Sequence, residues 1–146
     1  MILILCEKPS QARNYASAMG GSVDKKFKWK GQDVIIVNAR GHLYQWADVS
    51  VIAGPSCSKW SLASLPWSYK DFKWKRVIAD GCRDVINNIK DKAKGCSEIW
   101  IATDNDESGE GDLLAAEVLI ENKLCRGKVI KRLFHVSESK RDIEAA

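Results

Sequence analysis

The apolar positions of this chain change period several times, and each change predicts an element. Ile2–Cys6 is an unbroken apolar run of the kind found in strands buried on both faces. Glu7 ends it, Pro9 breaks the extended chain, and Ser10 stands where it can cap a helix. Ala12, Tyr15, Ala16 and Met19 then recur at helical spacing up to Gly20-Gly21. Residues 23–29 and 33–38 flank Lys30-Gly31-Gln32 and predict a hairpin. Cys82, Val85, Ile86, Ile89 and Ala93 predict a second amphipathic helix, and residues 98–103 a second buried strand. Leu113, Leu114, Ala116, Val118 and Ile120 give a third helix. Residues 128–135 give a last strand, with Ser137 opening a last helix.

Strands that alternate with helices predict an α/β fold with a mostly parallel central sheet, right-handed crossovers and flanking helices. Residues 47–76 have little periodicity but hold two of the three prolines together with Trp60, Trp67 and Trp74. Indole rings are costly to leave in water, so this stretch reads as an irregular, packed insertion within a single domain spanning residues 1–146.

Composition narrows the class. At 45% hydrophobic the chain can build a core, and no apolar run approaches the length of a membrane span. Five cysteines (Cys6, Cys57, Cys82, Cys96, Cys125) are odd in number and form no CxxC pair. That argues against a zinc ribbon or disulfide scaffold and for the reduced thiols of a cytoplasmic protein. The net charge is +4, with basic residues interleaved with aromatics in Lys25-Lys26-Phe27-Lys28-Trp29-Lys30 and in Lys70-Asp71-Phe72-Lys73-Trp74-Lys75-Arg76. The first of these equally reads as a lysine-protected sheet edge. Acids gather instead between Asp104 and Asp112. A basic surface around an acidic cluster suits a polyanion held over bound metal.

The acids also have a predicted place. In open parallel sheets, sites form beyond the carboxyl ends of the strands. Glu7 ends one predicted strand, and Asp104 and Asp106 follow another. If those strands are neighbours, three carboxylates share one crevice, where they repel one another unless a cation intervenes. Oxygen-only ligands in small number suit Mg²⁺, which keeps waters and binds phosphates. Gly109 and Gly111 let the acidic loop turn with positive φ. A calcium loop of EF-hand type is the competing pattern, with Asp104, Asp106, Ser108, Gly109, Glu110 and Asp112 in register. It lacks the closing glutamate, since Ala115 stands there, and a strand precedes it where a helix is needed.

A strand-end glutamate followed by a later strand ending in Asp-x-Asp resembles the Toprim pattern of topoisomerases, bacterial primases and some nucleases. The chain is most similar to type IA topoisomerases, and within them to the topoisomerase III branch. The likeness lies in Ile4-Leu5-Cys6-Glu7-Lys8-Pro9-Ser10-Gln11-Ala12-Arg13, Gly41-His42-Leu43, and Trp60-Ser61-Leu62 through Leu65-Pro66. It continues in Ala102-Thr103-Asp104-Asn105-Asp106 and Phe134-His135-Val136-Ser137-Glu138. It departs in the acidic loop, where the family has Asp-x-Asp-Arg-Glu-Gly-Glu. Glu107 and Ser108 replace the arginine and third acid, and Gly111-Asp112 are extra. The third carboxylate is therefore open between Glu107, Glu110 and Asp112.

The resemblance implies a Toprim (Rossmann-like) fold and a part in transient single-strand DNA cleavage, strand passage and religation. By it, Glu7 is the general acid/base and a metal ligand, and Lys8 contacts the scissile phosphate. Asp104 and Asp106, with Glu110 as a further candidate, hold Mg²⁺. The partners implied are single-stranded DNA and the remaining domains of a longer topoisomerase, one of which carries the attacking tyrosine. A Toprim domain of a primase or nuclease is the alternative.

The remaining candidates lie around these acids. Arg13, near the start of the first helix, and His135, at the end of the last strand, are candidate DNA contacts. His42 reads as a buried, hydrogen-bonded scaffold residue rather than a DNA contact. Tyr15 reads as core. Cys6 points away from the site and is assigned no chemistry.

Overall fold

The computed structural model describes residues 1–54, 62, 65, 70 and 72–146. Its centre is a five-stranded sheet in the order β2-β3-β1-β6-β7. The strands are β1 (Ile2–Cys6), β2 (Phe27–Trp29), β3 (Gln32–Asn38), β6 (Glu98–Ile101) and β7 (Val129–Arg132). β1 runs parallel to both β3 and β6, β6 runs parallel to β7, and only β2 is antiparallel, through its hairpin with β3. A separate two-stranded ribbon pairs β4 (Tyr44–Trp46) with β5 (Arg76–Ile78). The helices are α1 (Pro9–Met19), α2 (Val49–Ile52), α3 (Arg83–Ala93), α4 (Glu110–Glu121) and α5 (Lys140–Ala145).

Strand alternation splits the core into two layers, because successive side chains leave opposite faces of the sheet. Leu3, Leu5, Ile35, Val37 and Ile99 face α3 and α4 and pack on Val85, Ile86, Ile89, Leu114, Val118 and Leu119. Ile2, Ile4, Cys6, Val34 and Ile36 face the other way, onto Ala12, Tyr15, Ala16 and Met19 of α1 and Ile143 of α5. Every residue of β1 is buried. The continuous apolar run is thus the signature of a central strand covered on both sides.

Several element boundaries differ from the sequence expectation, each for a local reason. α1 starts at Pro9, with Lys8 rather than Ser10 in the cap position, since proline is pre-set for the first helical turn and has no N–H to satisfy. β2 is confined to Phe27–Trp29; Asp24 sits at φ 63°, which interrupts an extended arm. α4 begins at Glu110, earlier than its apolar residues. β6 and β7 end at Ile101 and Arg132, short of the expected residues 103 and 135. α5 is capped by Ser139, whose hydroxyl accepts from the Asp142 amide, and Ser137 lies outside it.

The expected insertion at 47–76 includes α2 and the first strand-forming residue of β5. Nearly half of it, with Cys57, Trp60 and Trp67, lies outside the described residues. Trp74 is half exposed, against expectation, because it stacks edge-on with Trp46 at the surface instead of entering the core.

Gly109 takes φ 69° as expected, but Gly111 lies inside α4 and needs no such freedom. Its requirement is space. A Cβ there would stand 2.9 Å from the Asp104 carbonyl oxygen, 2.9 Å from Glu7 Oε2 and 3.0 Å from Thr103 Cβ. Gly111 therefore lets α4 press its first turn against the ends of β1 and β6. Gly111→Ala gains helix propensity of up to about 1 kcal/mol. It also drives a methyl group into fixed backbone, and overpacking of that kind costs typically about 1–3 kcal/mol. The clash wins, so urea denaturation of this variant should show a lower midpoint than the parent chain.

Candidate active site at the carboxyl edge of the sheet

The β1–β6 pairing places Ile2 opposite Glu98 and Leu5 opposite Ile101, so both strands end at the same edge of the sheet. Past that edge the Ala102 amide still donates to the Leu5 carbonyl (2.8 Å), and the chains then diverge. Glu7 Oε2 accepts from the Asp104 backbone amide at 3.2 Å. Two acids that lie 97 positions apart in sequence thus stand side by side.

Gln11 ties them together. It is fully buried on the first turn of α1, accepts the Glu7 amide at 2.8 Å through Oε1, and donates from Nε2 to Asp104 Oδ1 at 2.7 Å. Lys8 donates to the other oxygen, Asp104 Oδ2, at 2.8 Å, and its ammonium lies 3.8 Å from Glu138 Oε1. The Asp104 carboxylate raises the Lys8 pKa above its ordinary value, so the side chain stays charged. Asn14 in turn donates to Glu138.

Arg132 fixes the backbone from beneath. Its guanidinium donates to the carbonyls of Thr103 (2.9 Å) and Asp104 (3.0 Å) and pairs with Asp112 at 2.7 Å. Asp104, Asn105, Asp106, His135, Val136, Ser137 and Glu138 line an open cavity of about 360 Å³ at this edge. His135 is buried; its Nδ1 meets the Tyr15 hydroxyl at 2.9 Å, and Asn105 donates to its carbonyl. Burial, with Arg132 nearby, lowers the His135 pKa below 6.5. Burial raises that of Tyr15 above its usual value, so the hydroxyl stays protonated.

Residues 2–135 match the Toprim domain family. The chain belongs to that family. DNA topoisomerase 3 of Staphylococcus epidermidis is 35% identical over 144 residues, covering 97% of this chain and 19% of the relative. DNA topoisomerase 1 of Alkalihalophilus pseudofirmus is 30% identical over 154 residues, covering 100% of this chain and 21% of the relative. DNA topoisomerase 1 of Methanocaldococcus jannaschii is 29% identical, covering 99% and 19%. The chain therefore spans about a fifth of the length of the curated relatives it matches.

The strand edge brings Glu7, Lys8, Asp104, Asp106 and His135 of the Toprim domain to one region. It does not bring Arg13 there: that residue is exposed and lines a separate depression with Ser17, Gly21 and Ser22. The acidic loop spreads its side chains. Asp106 turns onto the Ser108 hydroxyl, which holds its carboxyl below the usual range. Glu110 reaches His42 Nε2 at 2.7 Å, and Asp112 is taken by Arg132. His42 is exposed, not buried as expected, because the turn after β3 presents it to the first residue of α4. An EF-hand is ruled out by β6, a strand where that motif has a helix.

The family binds divalent metals, and the donors present bear on how this chain would do so. Among the described residues, no three Asp, Glu, His or Cys side chains gather closely enough to hold one ion between them. Three carboxylates, Asp104, Asp106 and Glu138, do line one open cavity, with Glu138 3.8 Å from the Lys8 ammonium. A hard cation that keeps waters and takes phosphate oxygens needs no more than one or two such ligands, so the donor set fits.

Gln11, Arg132 and Glu138 were not singled out by sequence. Gln11 carried one readable signal, as a polar residue four positions before Tyr15 on the buried face of α1. Arg132 gave none, because its role exists only once β7 lies beside β6.

Gln11→Leu leaves the Glu7 amide without its partner and removes a donor from Asp104. A buried polar group stripped of its partner costs about 1–3 kcal/mol. Chemical denaturation should report a loss in that range. The pH dependence of stability follows from His135. Its folded pKa lies below the unfolded 6.5, so protons bind the unfolded chain preferentially. The stabilisation is complete above 6.5 and is lost as pH falls below it. Denaturant midpoints measured from pH 7.5 to 5.5 should fall, and His135→Phe should flatten that fall.

Proposed function

We propose that this chain supplies the acid/base and Mg²⁺-holding part of a type IA DNA topoisomerase, acting on single-stranded DNA in the cytoplasm together with further domains. The observation that carries the reading is the side-by-side placement of Glu7 and Asp104, with Lys8 clamped against them. A carboxylate, a permanent cation and a metal-compatible acid pair converge where a phosphodiester would need all three.

Glu7 is the residue that passes a proton to or from the 3′-oxygen of the broken strand. Its Oε2 is received by a backbone amide, so the carboxylate is held in one place. Lys8 meets the scissile phosphate as a point charge, exchanging a carboxylate partner for a phosphate one. Asp104 and Asp106 hold Mg²⁺, which when bound offsets phosphate charge and aligns the DNA ends. Gln11 and Arg132 keep Asp104 in position from its carboxylate and carbonyl sides. His135 lines the same cavity and is within the reach of DNA lying in it.

The nucleophile comes from elsewhere. Tyr15 is buried and bonded to His135, and Tyr44 is buried with its hydroxyl accepting from Asn122 at 2.7 Å. Among the described residues no tyrosine is presented to the cavity; Tyr69 lies outside them. The names of the relatives favour this reading over a primase or nuclease.

The 146-residue chain by itself should leave supercoiled plasmid unrelaxed in Mg²⁺. Grafted into the S. epidermidis enzyme in place of the segment it matches, it should support Mg²⁺-dependent relaxation. Glu7→Gln in that graft should cut the rate by about 100-fold or more, the contribution expected of a general acid/base. Asp104→Asn should raise the Mg²⁺ concentration required. Relaxation by the chain alone, or a folded graft indifferent to Glu7→Gln, overturns the proposal.

A further inference from the structure

The ribbon of β4 and β5 carries an aromatic surface that the crevice chemistry does not use. Trp46 and Trp74 are 55% and 54% exposed, with ring centroids 5.4 Å apart in an edge-to-face pair. Phe72 extends the row, 5.3 Å from Trp74. These rings are held in place. Trp46 stands opposite Arg76 in the ribbon, and the Arg76 guanidinium lies 5.1 Å over its ring while pairing with Glu117 of α4 at 2.6 Å. The backbone leading to β5 is fixed by the Lys73 amide on the Ile52 carbonyl and by the Ala47 amide on the Lys75 carbonyl, both 2.8 Å. Exposed tryptophans anchored in this way have lost their conformational entropy before any ligand arrives.

Trp46, with Tyr44 and Arg76, lines one wall of a groove of about 780 Å³, and Trp74 stacks on Trp46 beside it. The other wall is α4, which presents Leu113 and Ile120, 67% and 66% exposed. Glu117 on that wall is neutralised by Arg76. Lys70, Lys73 and Lys75 are exposed along the segment that carries Phe72 and Trp74. The groove is therefore largely apolar, with Glu121 also on the α4 wall, and the lysines flank Trp74 on the segment beside it. At one end it reaches His42, whose partner Glu110 opens α4, the helix that packs on Glu7.

We propose that this groove and the exposed ring face beside it form a second binding site for single-stranded DNA, in which bases stack on Trp46 and Trp74 while the phosphates pass along Lys73 and Lys75. A single strand has the matching polarity, with flat apolar bases on one side and a polyanionic backbone on the other. Aromatic rings beside a basic track are the means by which proteins hold it without reading sequence. A duplex keeps its bases inside and cannot use the rings. An apolar protein segment would fill the groove but has no use for the lysines beside it. The choice of DNA as ligand rests on the function proposed above; the site lies outside the carboxylate crevice and needs no metal.

The test uses the 146-residue chain in EDTA with a fluorescently labelled 12-nucleotide oligothymidylate, read by anisotropy. The single strand should bind and a 12-base-pair duplex should bind more weakly. Trp46→Ala and Trp74→Ala should each weaken single-strand binding by about fivefold or more, the loss of one stacked base. Because Trp46 also carries Arg76, two changes at exposed positions serve as controls for folding. Leu113→Glu should block the groove. Lys73→Glu with Lys75→Glu should lower the slope of log affinity against log salt by about 0.7 per lysine. Repeating the measurement in Glu7→Gln and Asp104→Asn chains separates the two proposals, since groove binding should persist there. Binding that survives the tryptophan and Leu113 changes but disappears with the crevice variants overturns the groove site. So does equal affinity for duplex, or no binding to either.

Discussion

The parallel pairing of β1 with β6 is the contact on which the rest of this molecule depends. It joins residues almost a hundred positions apart and sets two strand ends level, so that Glu7 and Asp104 meet past the last shared backbone hydrogen bond. The pairing is secured by burial rather than by the acids themselves. Leu3, Leu5 and Ile99 face one helical layer, and Ile2 and Ile4 face the other. Burying that much aliphatic surface easily exceeds the cost of bringing two carboxylates close, provided each is given a donor.

Those donors are supplied in an economical way. One residue, Gln11, serves both strand ends, accepting from Glu7 and donating to Asp104, and it does so without adding charge. Lys8 brings the positive charge, and Glu138 stands within its reach as a second acid. A neutral bridge and a half-exposed cation have different uses. The amide holds geometry in the low-dielectric interior, where an unmatched charge would be costly. The ammonium, half exposed, can trade one anion for another as a phosphate enters.

The altered acidic loop fits the same logic. Its extra residues do not crowd the crevice with further carboxylates. Asp112 pairs with Arg132 and Glu110 with His42, so each is spent on holding the neighbouring elements together. Gly111, at the point of closest approach, keeps α4 against both strand ends. The consequence is a site in which Asp104 and Asp106, with Glu138 beside Lys8, face an open cavity. Such a site is suited to a cation that the substrate's own phosphates help to hold.

How much of this could be read from the sequence follows from what is local. The buried run Ile2–Cys6, the helical spacing of α1 and α3, the strand before Asp104 and the acids at strand ends are all short-range patterns, fixed by backbone geometry and solvent exclusion within a few residues. They were enough to predict an α/β sheet and to name Glu7, Asp104 and Asp106, while Lys8 was named only by the family resemblance. Boundaries failed where a cap or a positive φ decided them, as at Pro9, Asp24 and Ser139. Only the tertiary structure revealed Gln11 and Arg132 as supports, put His42 at the surface, led Arg13 away from the crevice and paired the Trp46 and Trp74 rings. Each of these depends on which distant element arrives alongside. Contact between residues far apart in the chain is set by the packing of whole layers, which no local periodicity encodes.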